Sequence, residues 1–374
     1  MRFWEAAADE GSPLVEHDDD EAVVTVVYRD AAADQVSVVG GLAGADPDDT
    51  ALRRVPGTDV WHRSYSLPRS TRTLYWFSLG DPDDPDSWRP DELNPRRFEF
   101  ELAAGLTFPF SVLELDEAPP LRWSKPRAGV PVGTLETARF RSETLGNERP
   151  LWTYRSEGLQ KDSPLLVLLD GRLYAEVMPT TTILDNLIGE RILPPLAAVM
   201  ADSLDQAIRS AEMGCNPAFA DALADELVPW ARVRLGVDPP PEQTIVGGLS
   251  FTGLASAFAA LRRPDVFGSV LSQSGAFQWK PPEDGEPEWL LRHLEDFRGS
   301  QLRFHLAVGT LETWDVRIVN ERTSLLDANR HLRDALSAAG HEVVYREFAG
   351  GHDFPCWEEA LPDGLRTLVA GSRD

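Results

Sequence analysis

The apolar positions change rhythm part-way along the chain. Between about residues 21 and 115 they fall into short runs. Residues 22–28 (AVVTVVY) and 35–39 (QVSVV) are rich in β-branched side chains, and residues 61–67 (WHRSYSL) alternate with a period of two. Residues 74–79 (LYWFSL) and 97–102 (RFEFEL) complete the set, with acidic, turn-rich stretches at 46–49 and 80–86 between them. Short strands at this spacing, without helical periodicity between them, predict a β-sandwich. Pro119, Pro120, Pro126 and Pro131 then mark a boundary segment. Beyond it, residues 164–169 (PLLVLL) form a continuous apolar run, the signature of a strand covered on both faces of a parallel sheet. Further strands are predicted at 243–247, 267–272, 302–308 and 341–348, and helices at 182–191, 217–235, 253–261 and 323–339. Alternating strands and helices predict an α/β layer. The expected domains are therefore residues 1–125, an all-β sandwich, and residues 126–374, an α/β unit.

The composition agrees with this division. A chain of 374 residues with 42% hydrophobic and 26% charged residues is an ordinary globular protein of two or three domains. No apolar run reaches the length of a membrane span, and the first residues lack the basic-then-apolar pattern of a signal peptide, so a cytoplasmic protein with no membrane partner is expected. Two cysteines exclude a disulfide scaffold and a multi-cysteine metal cluster. A net charge of −25 argues against nucleic acid as a partner.

Candidate chemistry begins at Gly247-Gly248-Leu249-Ser250-Phe251-Thr252-Gly253, between a predicted strand and a predicted helix. A serine exposed on so sharp a turn needs very small neighbours, and Gly248 stands two positions before Ser250 as the G-x-S-x-G elbow requires. Two positions after it stands Thr252, with Gly253 one later, so the strict motif is missed by one place. The plainer alternative is a glycine-rich turn with a capping serine. The Phe251 N–H would be one oxyanion donor, and the N–H of Gly171 or Arg172, in the loop after residues 164–168, the other. Of 7 histidines only His352 has glycines immediately before it and follows a late strand. The order serine, acid, histidine is that of α/β-hydrolases. It puts the acid after residues 302–308, where Glu312 and Asp315 both qualify and Glu312 is favoured. Asp353 adjoins the histidine and cannot reach its far ring nitrogen properly.

An ordered set of short motifs then carries a resemblance across nearly the whole chain. It includes Phe3-Trp4, Pro56-Gly57-Thr58-Asp59-Val60-Trp61-His62, Leu93-Asn94-Pro95, Leu168-Leu169-Asp170-Gly171, Arg209…Glu212…Cys215-Asn216-Pro217, Gly248-Leu249-Ser250-Phe251, Ser272-Gln273-Ser274-Gly275 and Gly350-Gly351-His352-Asp353. In these the chain resembles the enterochelin (enterobactin) esterases, which hydrolyse the trilactone of ferric catecholate siderophores. The resemblance implies a C-terminal α/β-hydrolase domain preceded by an immunoglobulin-like all-β sandwich, Ser250 as nucleophile, His352 as base and Glu312 as acid. It implies a ferric siderophore as substrate and, since that substrate brings the iron, no cofactor or protein-bound metal. Arg172, Tyr174 and Arg209 fall within matched motifs and are the candidate substrate contacts, Tyr174 standing where the family often has tryptophan. Arg209 could instead pair with Glu212 along one helix. Thr252, in place of the usual glycine, is a departure. Two other readings remain: a serine esterase on feruloyl esters or thioesters, and a non-catalytic binding protein.

Overall fold

The computed structural model describes residues 4, 11–18, 20–46, 49–103, 106–297, 299–313, 315–318 and 321–369. Phe3 of the opening motif lies outside them. The chain divides into two compact units, and the division does not follow the sequence linearly. One unit takes Met1–Pro120 together with Gly309–Trp314 and Phe348–Cys356; the other takes Leu121–Val308, Asp315–Glu347 and Trp357–Asp374.

The first unit is built on two antiparallel sheets. Strands β1 (Leu14–Asp18), β2 (Glu21–Arg29), β4 (Arg53–Arg54) and β5 (Val60–Pro68) lie in the order β1-β2-β5-β4. Strands β3 (Ser37–Gly40), β6 (Arg72–Ser78), β8 (Arg97–Ala103) and β9 (Leu106–Glu114) lie in the order β3-β6-β9-β8, with β7 (Trp88–Arg89) pairing β6. The period-two pattern explains the packing. Trp61, Tyr65 and Leu67 on β5 and Val24 and Val26 on β2 turn inward against Val38, Tyr75, Phe77 and Leu113 of the other sheet, forming one core.

The second unit is built on an eight-stranded sheet. Its strands are β10 (Thr134–Ser142), β11 (Asn147–Arg155), β12 (Leu165–Leu169), β13 (Ala197–Ala201), β14 (Thr244–Leu249), β15 (Ser269–Gln273), β16 (Arg303–Gly309) and β19 (Glu342–Phe348). They lie in the order β10-β11-β13-β12-β14-β15-β16-β19. β11 meets β13 antiparallel, whereas β13, β12, β14, β15 and β16 run parallel. All five residues of β12 and all six of β14 are buried, and for β12 this is why it reads as an unbroken apolar run. A short hairpin, β17 (Asp315–Ile318) and β18 (Glu321–Ser324), precedes the helix Leu325–Ala338.

The helix expected over 217–235 is two helices, Pro217–Ala222 and Val228–Leu235. They are joined by one wider turn in which the Val228 N–H reaches back to the Leu223 carbonyl. Pro229 has no N–H to continue a regular ladder through this turn.

Candidate active site

Ser250 sits between β14 and the helix Phe251–Arg262 with φ 55° and ψ −121°. A left-handed φ at a residue with a Cβ stores strain, of order 1–3 kcal/mol, and persists only where its surroundings enforce it. Here they do. The Ser250 N–H donates to the Gln273 carbonyl (2.9 Å), and the Ser250 carbonyl accepts from Gly253 (3.0 Å) and Ala276 (2.9 Å). A Cβ on Gly248 would lie 2.5 Å from Thr252 Oγ1, and one on Gly253 would lie 2.6 Å from Ser272 Oγ. Both glycines are therefore required for clearance, Gly253 taking the contact with the neighbouring strand.

Thr252 is fully buried. Its hydroxyl accepts from the Leu249 N–H (2.9 Å), while its single proton is shared between the Leu249 carbonyl (2.7 Å) and Asp170 Oδ2 (3.0 Å). Asp170 ends β12, also with a positive φ of 57°. Its carboxylate, 5% exposed, receives both Nε (3.0 Å) and Nη2 (2.7 Å) of Arg209. The Arg209 guanidinium in turn lies 5.7 Å from the centre of the Phe251 ring. Residues 170–172 are thus tied to the elbow through Asp170. A Cβ on Gly171 would come within 2.5 Å of the Met200 carbonyl carbon, so the loop passes directly over β13.

His352 and Glu312 meet in the first unit. Glu312 is fully buried; its Oε1 accepts from the Gly309 N–H (2.7 Å) and its Oε2 from His352 Nδ1 (2.8 Å). The carboxylate thus engages Nδ1 and not Nε2. The His352 side chain is 16% exposed. Of the two candidate acids, Glu312 is the one bonded to the histidine; the Asp315 side chain lies outside the described residues.

A family model for the enterochelin esterase N-terminal region matches residues 23–124, and one for a putative esterase matches residues 142–368. An iron(III) enterobactin esterase of Dickeya dadantii is 30% identical, with 99% of this chain and 93% of that protein covered. The chain belongs to the enterochelin esterase family. An iron(III) enterobactin esterase of Escherichia coli is 32% identical over 85% of this chain and 81% of its own length. The enterobactin esterase of Shigella flexneri, crystallised in the presence of enterobactin, superposes with a TM-score of 0.77 at 29% identity, covering 98% of this chain and 97% of that one. The fold class is accordingly an α/β-hydrolase preceded by an all-β sandwich, and the chain is an ester hydrolase.

In this enterochelin esterase, two of the expected substrate contacts, Tyr174 and Arg209, make bonds within the protein. Tyr174 is fully buried, and its hydroxyl donates to Gln273 Oε1 (2.9 Å). Burial, with the nearby Asp170 charge, pushes its phenol well up. The ring is thereby held against the end of β15. Arg209 does not pair with Glu212, which instead binds Arg149 (2.7 Å) in a buried ion pair. Arg209 pairs with Asp170 and so joins the support of the loop. Burial raises the Asp202 carboxyl and the Asp170 charge adds to this, while the Leu204 N–H and the Arg172 charge pull it back. Sequence reasoning passed over Asp170 as a support. Its only signal was an acidic residue between an apolar strand and Gly171, a setting that suits a left-handed turn.

Proposed function

We propose that this enzyme hydrolyses the ester bonds of a ferric catecholate siderophore trilactone in the cytoplasm, with Ser250, His352 and Glu312 as its triad. Ser250 Oγ attacks an ester carbonyl as His352 Nε2 takes its proton, and the imidazolium is held by Glu312. The tetrahedral oxyanion is met by the N–H groups of Phe251 and of Gly171 or Arg172. Collapse releases the serine alkoxide of the substrate, which recovers the proton from His352. Water, deprotonated by the same nitrogen, then cleaves the acyl-enzyme and regenerates Ser250. Opening the trilactone weakens chelation and so helps release the iron that the substrate brought in. The multiply anionic complex is drawn by Arg172 and Arg209, whose planar guanidinium groups suit both oxygen anions and catechol rings. The sandwich, residues 1–125, and the hydrolase, residues 126–374, act as two domains of one enzyme.

The observation that carries this reading is the extent of the likeness: it includes the N-terminal half, which a general serine esterase lacks. The test is chromatography of ferric enterobactin after incubation with the wild type and with Ser250→Ala, His352→Ala and Glu312→Gln. Linear trimer, dimer or monomer products are expected from the wild type. The rate should fall roughly 10⁴-fold or more in each variant. Serine-dependent cleavage of a simple aryl ester without turnover of any catecholate trilactone would leave an esterase and overturn the substrate.

A further inference from the structure

The segment carrying His352 is fastened on both sides to one short stretch of β6. The Arg72 N–H donates to the Ala349 carbonyl (3.0 Å), and Arg72 and Gly350 form a single parallel bridge. Thr73 Oγ1 donates to Asp353 Oδ2 (2.6 Å), and the Leu74 N–H donates to the same oxygen (2.8 Å). Cys356 donates its N–H to Asp353 Oδ1 (3.3 Å) and its Sγ–H to the Arg72 carbonyl (3.0 Å). Between the fixed points at Gly350 and Asp353 lie only Gly351 and His352.

There is no slack in that interval. A Cβ on Gly351 would lie 2.4 Å from Gly41 Cα, and one on Gly41 would lie 1.9 Å from Thr73 Oγ1. Main chain passes main chain here, and the two glycines leave no room for drift. The same stretch also reaches the acid. The Leu311 N–H donates to the Gly350 carbonyl (2.9 Å), and the Thr313 hydroxyl bonds to the Gly44 carbonyl. Asp353 itself is only 6% exposed. A buried carboxylate is costly, and a turn of this kind can be closed by neutral groups. Burial pushes this carboxyl up, and the bonds from Thr73, Leu74 and Cys356 pull it back, so both oxygens are committed to the turn.

We propose that Thr73 and Asp353 are positioning residues for the catalytic base: the sandwich strand β6 holds Asp353, and Asp353 fixes the orientation of His352 and its bond to Glu312. The sandwich is then part of the acid–base machinery. This rests on the reading of His352 as the base.

The test uses the full chain with Thr73→Val, which keeps the volume and removes the hydroxyl, Thr73→Ser, which restores it, and Asp353→Asn. On a ferric catecholate trilactone, kcat should fall about 10- to 100-fold in Thr73→Val and Asp353→Asn, with KM within about twofold. Thr73→Ser should return to near the wild-type kcat. The low-field Nδ1–H proton resonance of His352 should shift or broaden in the two impaired variants and not in Thr73→Ser. Wild-type kcat in folded Thr73→Val or Asp353→Asn would overturn the proposal, as would losses that follow thermal stability with the His352 resonance unmoved. If Thr73→Val does not fold, Asp353→Asn decides alone. His352→Ala separates the two claims: if it turns over at the wild-type rate, the reading of the base fails. If it is inactive while the clamp variants are unimpaired, only the clamp fails.

Discussion

Thr252 stands where a nucleophile elbow prefers glycine, and its surroundings show how the exception is accommodated. The clearance needed against the neighbouring strand moves one position on, to Gly253, while the Thr252 side chain turns inward between Leu249 and Asp170. The hydroxyl thus replaces room with a tether, joining the turn before Ser250 to the loop at residues 170–172. Thr252→Val keeps the shape and leaves the buried Leu249 N–H and one Asp170 contact unmet. It should cost about 1–3 kcal/mol in urea denaturation, with a lower kcat at unchanged KM. Thr252→Ser should recover most of both. A Thr252→Val enzyme as stable and as fast as wild type would show that the tether does nothing. At this scale the sequence was readable where chemistry imposes a residue type. Ser250, His352 and Glu312 stood out by their neighbours and order. Asp170, Thr73 and the side-chain role of Asp353 did not, because their partners are distant in sequence: Thr73 and Asp353 are 280 positions apart.

Among the elements, the strands that were legible are those whose environment is simple. β12 and β14 are buried on both faces, and β5 is buried on one. β10 was not anticipated, because its first four residues are all exposed and it has no apolar face there. β13 was missed as well: its Ala-Ala-Val-Met-Ala run is buried throughout but carries little β-branched character. The helix Phe354–Val369 was also unforeseen, since Pro362 lies inside it. That helix is tied to the sheet by Asp363, which accepts from His305 on β16 (3.4 Å) and Arg346 on β19 (3.1 Å). The His305 hydrogen bond, aided by Arg346 against burial, brings this carboxyl from 3.8 down to about 2. A lowered folded-state value means that the contribution to stability is present above the unfolded value and is lost as pH falls toward the folded one. Asp363→Asn should therefore destabilise the protein at neutral pH by about 1 kcal/mol, less than the full shift implies because the carboxylate is 39% exposed. The gap from wild type, followed by urea denaturation at a series of pH values, should close as pH falls from 3.8 to about 2. A pH-independent gap would place the effect in packing instead of charge.

For the whole molecule, the informative fact is that the two compact units do not coincide with the two halves of the sequence. Ser250, Phe251 and the loop at 170–172 belong to the unit built on the eight-stranded sheet, while the segments bearing Glu312 and His352 are grouped with the sandwich. The likeness to enterobactin esterases runs through both, covering 99% of the chain in one relative. Periodicity predicted the two layers and their boundary segment, yet it could not show that residues 309–314 and 348–356 pack with the sandwich, because such grouping depends on tertiary contacts alone. The central claim is that Ser250 forms the covalent intermediate. The most direct measurement is rapid acid quenching during turnover of a catecholate trilactone, followed by peptide mass spectrometry. The account predicts an acyl adduct carrying the ring-opened linear dihydroxybenzoyl-serine trimer, or a shorter fragment from later cuts, on the peptide containing Ser250, absent in Ser250→Ala. An adduct on another residue, or undiminished turnover by Ser250→Ala, would contradict it.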